Sequence, residues 1–152
     1  MKGKWLMMFG AKKDRLEQAK QMKRECKYTC VILGENTVYT STQRGIRPLL
    51  TCYREGRVER GCSAADKVVG KAAAFLYMLL EIRELYADVV SKGALSVLQQ
   101  AGITVICETV TDAIINRAGT GLCPLETAVM DIQSPLEALK ASDKTLVQLS
   151  GK

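Results

Sequence analysis

Residues Ser63 to Arg83 read SAADKVVGKAAAFLYMLLEIR, and how this stretch is assigned decides the fold. It alone is long and apolar enough to be the central helix of a single core, so the sequence predicts one helix across it. Ser63 as N-cap and Asp66 at the third helical position make a Ser-x-x-Asp version of the capping box, each side chain closing backbone N–H groups that a helix start leaves unpaired. From Ala72 to Leu80 the run is apolar on nearly every face, which predicts a helix covered on several sides. Interior Gly70 costs about 1 kcal/mol relative to Ala. A close neighbour is therefore expected there, beside Asp66, Lys67 and Lys71.

Working outward, 152 residues with 47 % hydrophobic content suit one compact domain that buries a sizeable core. The apolar run is too short and too closely followed by charge to cross a bilayer, and Trp5 to Phe9 is too brief for a signal-peptide core. A cytoplasmic protein without a membrane span is expected. Cys26, Cys30, Cys52, Cys62, Cys107 and Cys123 lack the dense spacing of a secreted disulfide scaffold and read as reduced thiols. The chain has no histidine, which removes the commonest general base and the commonest metal ligand together. Cys26 and Cys30 are the only close cysteine pair, half of a metal site at most. No stoichiometric zinc and no cofactor are expected.

The net charge of +6 is entirely N-terminal: Met1 to Lys27 holds nine Lys or Arg against three acids, and Tyr28 to Lys152 holds thirteen of each. Residues 1–27 read as a basic N-terminal helix or extension, residues 28–152 as the α/β domain proper. Asp14 to Cys26 predicts a helix with a narrow stripe of Leu16, Ala19, Met22 and Cys26 and solvated faces carrying Lys20, Lys23, Arg24 and Lys27. An arm that binds RNA or an anionic membrane surface through phosphates is the sharper alternative, but no aromatic side chains are interleaved there to stack bases.

Before the central stretch, Tyr28 to Leu33 and Thr37 to Thr40 flank Gly34-Glu35-Asn36, which predicts an antiparallel hairpin. Ser41 to Leu50 follows, with Ser41, Arg44 and Gly45 in a turn that can hold an anion: glycine permits positive φ and Arg44 offers a planar fork. An ordinary polar turn leading into a capped helical segment is the equal alternative. After the central stretch, Leu85 to Val90 and Ile103 to Glu108 read as strands around a Ser91 to Ala101 helix ending at Gly102, a β-α-β unit with parallel strands. Ser91 and Lys92 then lie at a strand's carboxyl end, where open α/β sheets place ligands. Asn116 to Glu126 (NRAGTGLCPLE) leads through Gly119-Thr120-Gly121 into a helix with Cys123 at the N-cap and Pro124 first. Asn116 and Arg117 can add anion contacts, and a thiol at a helix start is where a cysteine pKa falls. Without a histidine, Cys123 more readily serves as a plain cap. Ser134-Pro135-Leu136-Glu137 starts a last amphipathic helix running to about Leu149.

Three blocks in this order resemble an uncharacterised prokaryotic domain-of-unknown-function family with a cytidine-deaminase-like fold: Ser41…Arg44-Gly45-Ile46…Pro48-Leu49, Asp66 to Ala74, and Asn116-Arg117…Cys123-Pro124-Leu125-Glu126. The resemblance covers about Leu16 to Ile132. It implies a three-layer α/β/α domain with a mixed central sheet, the hairpin continuing into parallel strands, and the Ser63 helix where deaminases carry their first zinc ligand. Zinc deaminases need His or Cys, one residue, then Glu on that helix, and Pro-Cys-x-x-Cys opening the next. Here those places read Ala64-Ala65-Asp66-Lys67 and Val90-Ser91-Lys92-Gly93, so zinc-dependent deaminase activity is not expected.

Two classes of function follow. The leading one is a zinc-less, deaminase-like domain that binds a small anionic ligand or nucleotide at the start of the central helix, through Ser41, Arg44, Gly45, Asp66, Lys67, Ser91, Lys92, Asn116, Arg117 and Cys123. The other is an enzyme of unassigned class in which Asp66, Lys67 or Cys123 does acid–base or nucleophilic work. A protein associating weakly with RNA through its basic N-terminal helix is a distant third, and a homo-oligomer is an open alternative.

Overall fold

The computed structural model describes residues 11–116 and 118–150; expectations placed on residues 1–10 and on Arg117 lie outside the described residues. The chain runs α1 (Ala11–Glu25), β1 (Cys30–Leu33), β2 (Val38–Ser41), α2 (Arg47–Glu55), β3 (Ser63–Val69), α3 (Lys71–Leu79), β4 (Glu84–Ser91), α4 (Lys92–Gln100), β5 (Thr104–Thr111), α5 (Pro124–Val129) and α6 (Pro135–Ser150). The strands form one mixed sheet in the order β2-β1-β3-β4-β5. The hairpin β1–β2 is antiparallel, β1 joins β3 antiparallel, and β3, β4 and β5 are parallel.

The main core lies on one sheet face, where Ala64, Leu85 and Ala87 meet Ala72 to Tyr77 of α3, Ala94 and Leu98 of α4, and Leu49 and Val129 of α2 and α5. Two β-α-β steps in the same direction along the sheet carry α3 and α4 to this same face, as two crossovers of one hand must. On the other face α1 seats Leu16 and Ala19 on Val31, Leu33, Ala65 and Tyr86. The sheet is thus flanked by helices on both faces.

The central helix is a correction. Ser63–Val69 is a strand, and the helix begins only at Lys71, after Gly70 as N-cap. Ala64, Ala65 and Lys67 are good helix formers, but the segment lies between β1 and β4, where its backbone groups join ladders on both sides. Tertiary pairing outweighs local propensity. The Ser63 hydroxyl caps nothing and instead hydrogen-bonds the Glu84 carboxylate on the neighbouring strand.

The α1 stripe also needs correction at its end. Leu16 and Ala19 are buried and Met22 packs against them, but Cys26 is exposed and Lys23, only 7 % exposed, takes the buried place. Its Nζ lies 2.8 Å from Asp88 Oδ2. Lys20 sits over the Tyr86 ring at 4.7 Å, and Arg24 lies 6.0 Å from the same ring and 3.5 Å from Glu108. Three cations expected on solvated faces therefore anchor the helix to the sheet. Among the described residues no helix is long and apolar enough to cross a membrane.

Candidate functional site: a cavity at the start of α3

At the carboxyl end of β3 the chain leaves the sheet through Gly70 into α3, and a cavity of about 650 Å³ opens there. Its walls come from the turn after β2 (residues 43–47), the end of β3 (residues 66–68), the start of α3, residues 114–116, the start of α5, and Leu146 and Leu149 of α6. A parallel strand ending against a helix start is the place open α/β sheets offer to ligands.

Asp66 is the floor. It is 8 % exposed, its Oδ1 accepts from the Lys67 backbone N–H at 2.7 Å and its Oδ2 from the Tyr77 hydroxyl at 2.6 Å. Tyr77 also approaches the Cys30 thiol, Sγ to hydroxyl oxygen 3.7 Å. The pairing of Cys30 opposite Asp66 across β1 and β3 brings this trio together. Burial pushes the Asp66 carboxyl up to about 6, although the Tyr77 and backbone hydrogen bonds pull the other way. Burial, and then the Asp66 charge, raise Cys30 and Tyr77 well above their ordinary values, so both are held protonated.

The second carboxylate is Glu126, in the first turn of α5. Its Oε1 accepts from the Lys71 backbone N–H at 3.0 Å, one of the donors that the start of α3 leaves open. Burial raises its pKa, with the Lys71 contacts opposing. Glu126 is the neighbour expected at Gly70: a Cβ there would overlap Glu126 Oε1 and lie 3.1 Å from Ile114 Cγ1. Gly70→Ala should cost about 1–2 kcal/mol by evicting that carboxylate from its hydrogen bond. In a Glu126→Ala background the same substitution should cost less than half as much, as read by urea unfolding. Simple additivity of the two changes would show that Glu126 is not what crowds position 70.

The remaining expected residues divide. Arg44, Gly45, Lys67, Asn116 and Cys123 line the cavity with Asp66. Gly45 has φ +73, the left-handed conformation that glycine adopts without penalty. Asn116 holds the 116–120 turn, its Oδ1 accepting from the Thr120 backbone N–H at 3.1 Å. Cys123 is the N-cap residue of α5 but makes no side-chain cap. Three others lie outside. Ser41 braces its own turn, accepting from the Gln43 N–H at 3.0 Å; Ser91 is buried as the N-cap of α4, accepting from Ala94 N–H at 3.1 Å; Lys92 is exposed and paired with Asp112 at 2.8 Å. Tyr77, Cys30 and Glu126 were not expected in the site. Only the glycine in the apolar run signalled one of them.

The arrangement combines an acceptor at the floor, an apolar wall of Val68, Ile114, Ile115, Leu146 and Leu149, and exposed cations at the rim. Among the described residues no three His, Cys, Asp or Glu side chains come together as a metal set. The zinc of the resembled fold does not fit these residues.

A profile described as TM1506, domain of unknown function (DUF1893), matches residues 18–145 of the chain. Among solved structures the chain is similar to a DUF1893 family protein (TM1506) from Thermotoga maritima, with 22 % identity, 92 % of this chain and 91 % of that chain covered, and a TM-score of 0.78. At that identity the likeness speaks to the fold alone. No curated protein matches the chain.

Proposed function

Because the chain belongs to the DUF1893 family, a domain of unknown function, its activity has to be read from its own site, and we propose that the cavity at the start of α3 binds a small anionic molecule of the nucleotide class. The observation that carries this reading is a pair of cations without partners. Arg44 and Lys67 both line the cavity, both are exposed, and among the described residues neither side chain makes an ion pair or hydrogen bond. By contrast Arg47, on the same rim, donates to Ser150 at 3.1 Å. Free cations over an apolar wall suit a ligand with a phosphate at one end and a flat apolar body at the other. A cavity of about 650 Å³ is within the usual size for such ligands. The scaffold is read as deaminase-like; the hairpin leading into parallel strands supports that reading.

Arg44→Ala with Lys67→Ala should weaken AMP binding at least tenfold in calorimetry, about 1.4 kcal/mol. Wild-type affinity should itself fall with added salt. AMP, ribose 5-phosphate and inorganic phosphate all failing to bind the wild type, or binding the double variant unchanged, would sink the reading.

An enzyme reading rests on Asp66 alone. Burial places its carboxyl near 6, close to the range a general acid or base needs at neutral pH. Cys123 has no histidine to activate it.

A further inference from the structure

We infer that β5 is the contact strand of a homodimer: two copies of the chain join their sheets through antiparallel β5–β5 pairing, with the two-fold axis at Ile106. The starting observation is an unprotected edge. β5 pairs with β4 on one side and, among the described residues, with no strand on the other. Sheet edges are ordinarily kept from pairing by short length, by Lys or by Pro. The other edge strand, β2, has four residues. β5 has eight, TVICETVT, with no Lys, Arg or Pro and mostly β-branched side chains that favour pairing. On it Ile106 and Val110 are 51 % and 44 % exposed.

A second copy fits this edge because a strand paired antiparallel with itself about a two-fold axis is self-complementary. The register follows from the backbone and from one charge. The Thr104 N–H donates to the Arg83 carbonyl at 3.2 Å, so Thr104 and Ile106 turn their backbone groups toward β4, while Val105 and Cys107, alternating with them, turn theirs outward. Those outward groups form hydrogen-bonded pairs when Val105 stands opposite Cys107 of the second copy. Ile106 then faces Ile106 of the second copy, and Glu108 faces Thr104. Moving the axis to Cys107 would set Glu108 against Ile106, and moving it to Glu108 would set that carboxylate against its own copy, which like-charge repulsion disfavours. Within its own chain Glu108 is already matched: it accepts from the Tyr86 hydroxyl at 3.1 Å, and Arg24 lies 3.5 Å away. The pairing therefore covers an exposed isoleucine with its own copy and brings no unmatched charge to the axis. Contact along one strand edge belongs to the small, reversible class of interfaces, below about 1,200 Å² in all.

The test uses the full chain. In sedimentation equilibrium the average mass should rise from one chain at low micromolar concentration toward two chains near millimolar. Ile106→Lys, which sets two ammonium groups face to face at the axis, should weaken association at least tenfold. Ile106 is half exposed, so this variant should keep the wild-type circular dichroism spectrum. In a Cys26→Ser background, which removes the exposed thiol, Ile106→Cys should form a disulfide-linked dimer in oxidised glutathione at least tenfold faster than Val110→Cys. Residues opposite each other in a non-hydrogen-bonded pair bring their Cα atoms to about 4.5 Å, within disulfide range, whereas Val110 lies beyond the overlap of the two strands. A wild type that stays one chain at every concentration, as it would if the edge took a foreign peptide strand instead, overturns the inference. So does a dimer that Ile106→Lys leaves intact, or equal cross-linking rates for the two cysteine variants. Should Ile106→Lys fail to fold, the cross-linking comparison decides.

Discussion

Asp66→Asn is expected to gain stability relative to the wild type as pH rises, by about 2 kcal/mol between pH 4 and pH 7. The carboxyl moves from an ordinary 3.8 to about 6 on folding, burial being the largest cause, and each unit is worth about 1.4 kcal/mol. A folded-state pKa above the unfolded one means that the native state holds the proton more tightly. The stabilisation is therefore complete below about 4 and is lost as pH rises through about 6. Asparagine does not titrate, so subtracting the two curves isolates Asp66 from every other acid. The amide should be tolerated. Its oxygen can accept from the Lys67 N–H, its nitrogen can donate to Tyr77, and Tyr77 can turn its own hydroxyl proton to Cys30, 3.7 Å away. Tyr77→Phe moves the window upward, since the Tyr77 hydrogen bond favours the charged carboxylate. Urea unfolding at pH 4.5, 5.5, 6.5 and 7.5 reads both effects. A difference between wild type and Asp66→Asn that stays flat across that range would show that Asp66 is not desolvated as described.

Asp66 lines a cavity, but it stands on a strand and not in the first turn of a helix as its sequence context predicts. Ser-x-x-Asp copies a capping box, and nothing local in Ala64-Ala65-Asp66-Lys67 betrays a strand; only the neighbours β1 and β4 do, and pairing partners are not written within seven residues. The strands rich in β-branched residues were legible because their side chains suit a pleated, half-buried surface, and Cys30–Leu33, Val38–Ser41 and Glu84–Ser91 fall close to the expected bounds. Helix starts at Ser91, Pro124 and Pro135 were legible because Ser and Pro act there through short-range chemistry. Contacts across the chain were not: Glu126 reaches Lys71 over 55 positions, and only the glycine that makes room for it left a mark.

Removing residues 1–27 is expected to unfold the domain rather than trim a dispensable arm. The basic composition of this segment suggests a solvated arm, but α1 is one of the two layers that cover the sheet, and Val31, Leu33, Ala65 and Tyr86 have no other helix over them among the described residues. Leu16 and Ala19 are buried in that layer. Leu16→Ala alone should cost about 2–4 kcal/mol, the transfer term plus the cavity it leaves. Breaking the Lys23–Asp88 pair removes a charge contact that is nearly dry on the lysine side, so Lys23→Ala adds a further loss of about 1–2 kcal/mol. Against a total stability of about 5–15 kcal/mol, losing the whole helix takes most or all of the margin. A chain starting at Tyr28 should therefore lose its cooperative melting transition and bind a hydrophobic dye, whereas Glu17→Ala, on the exposed side of α1, should melt like the wild type. If the shortened chain melts within about 2 °C of the full one, α1 is not a structural layer, and its lysines and arginines are free for another partner.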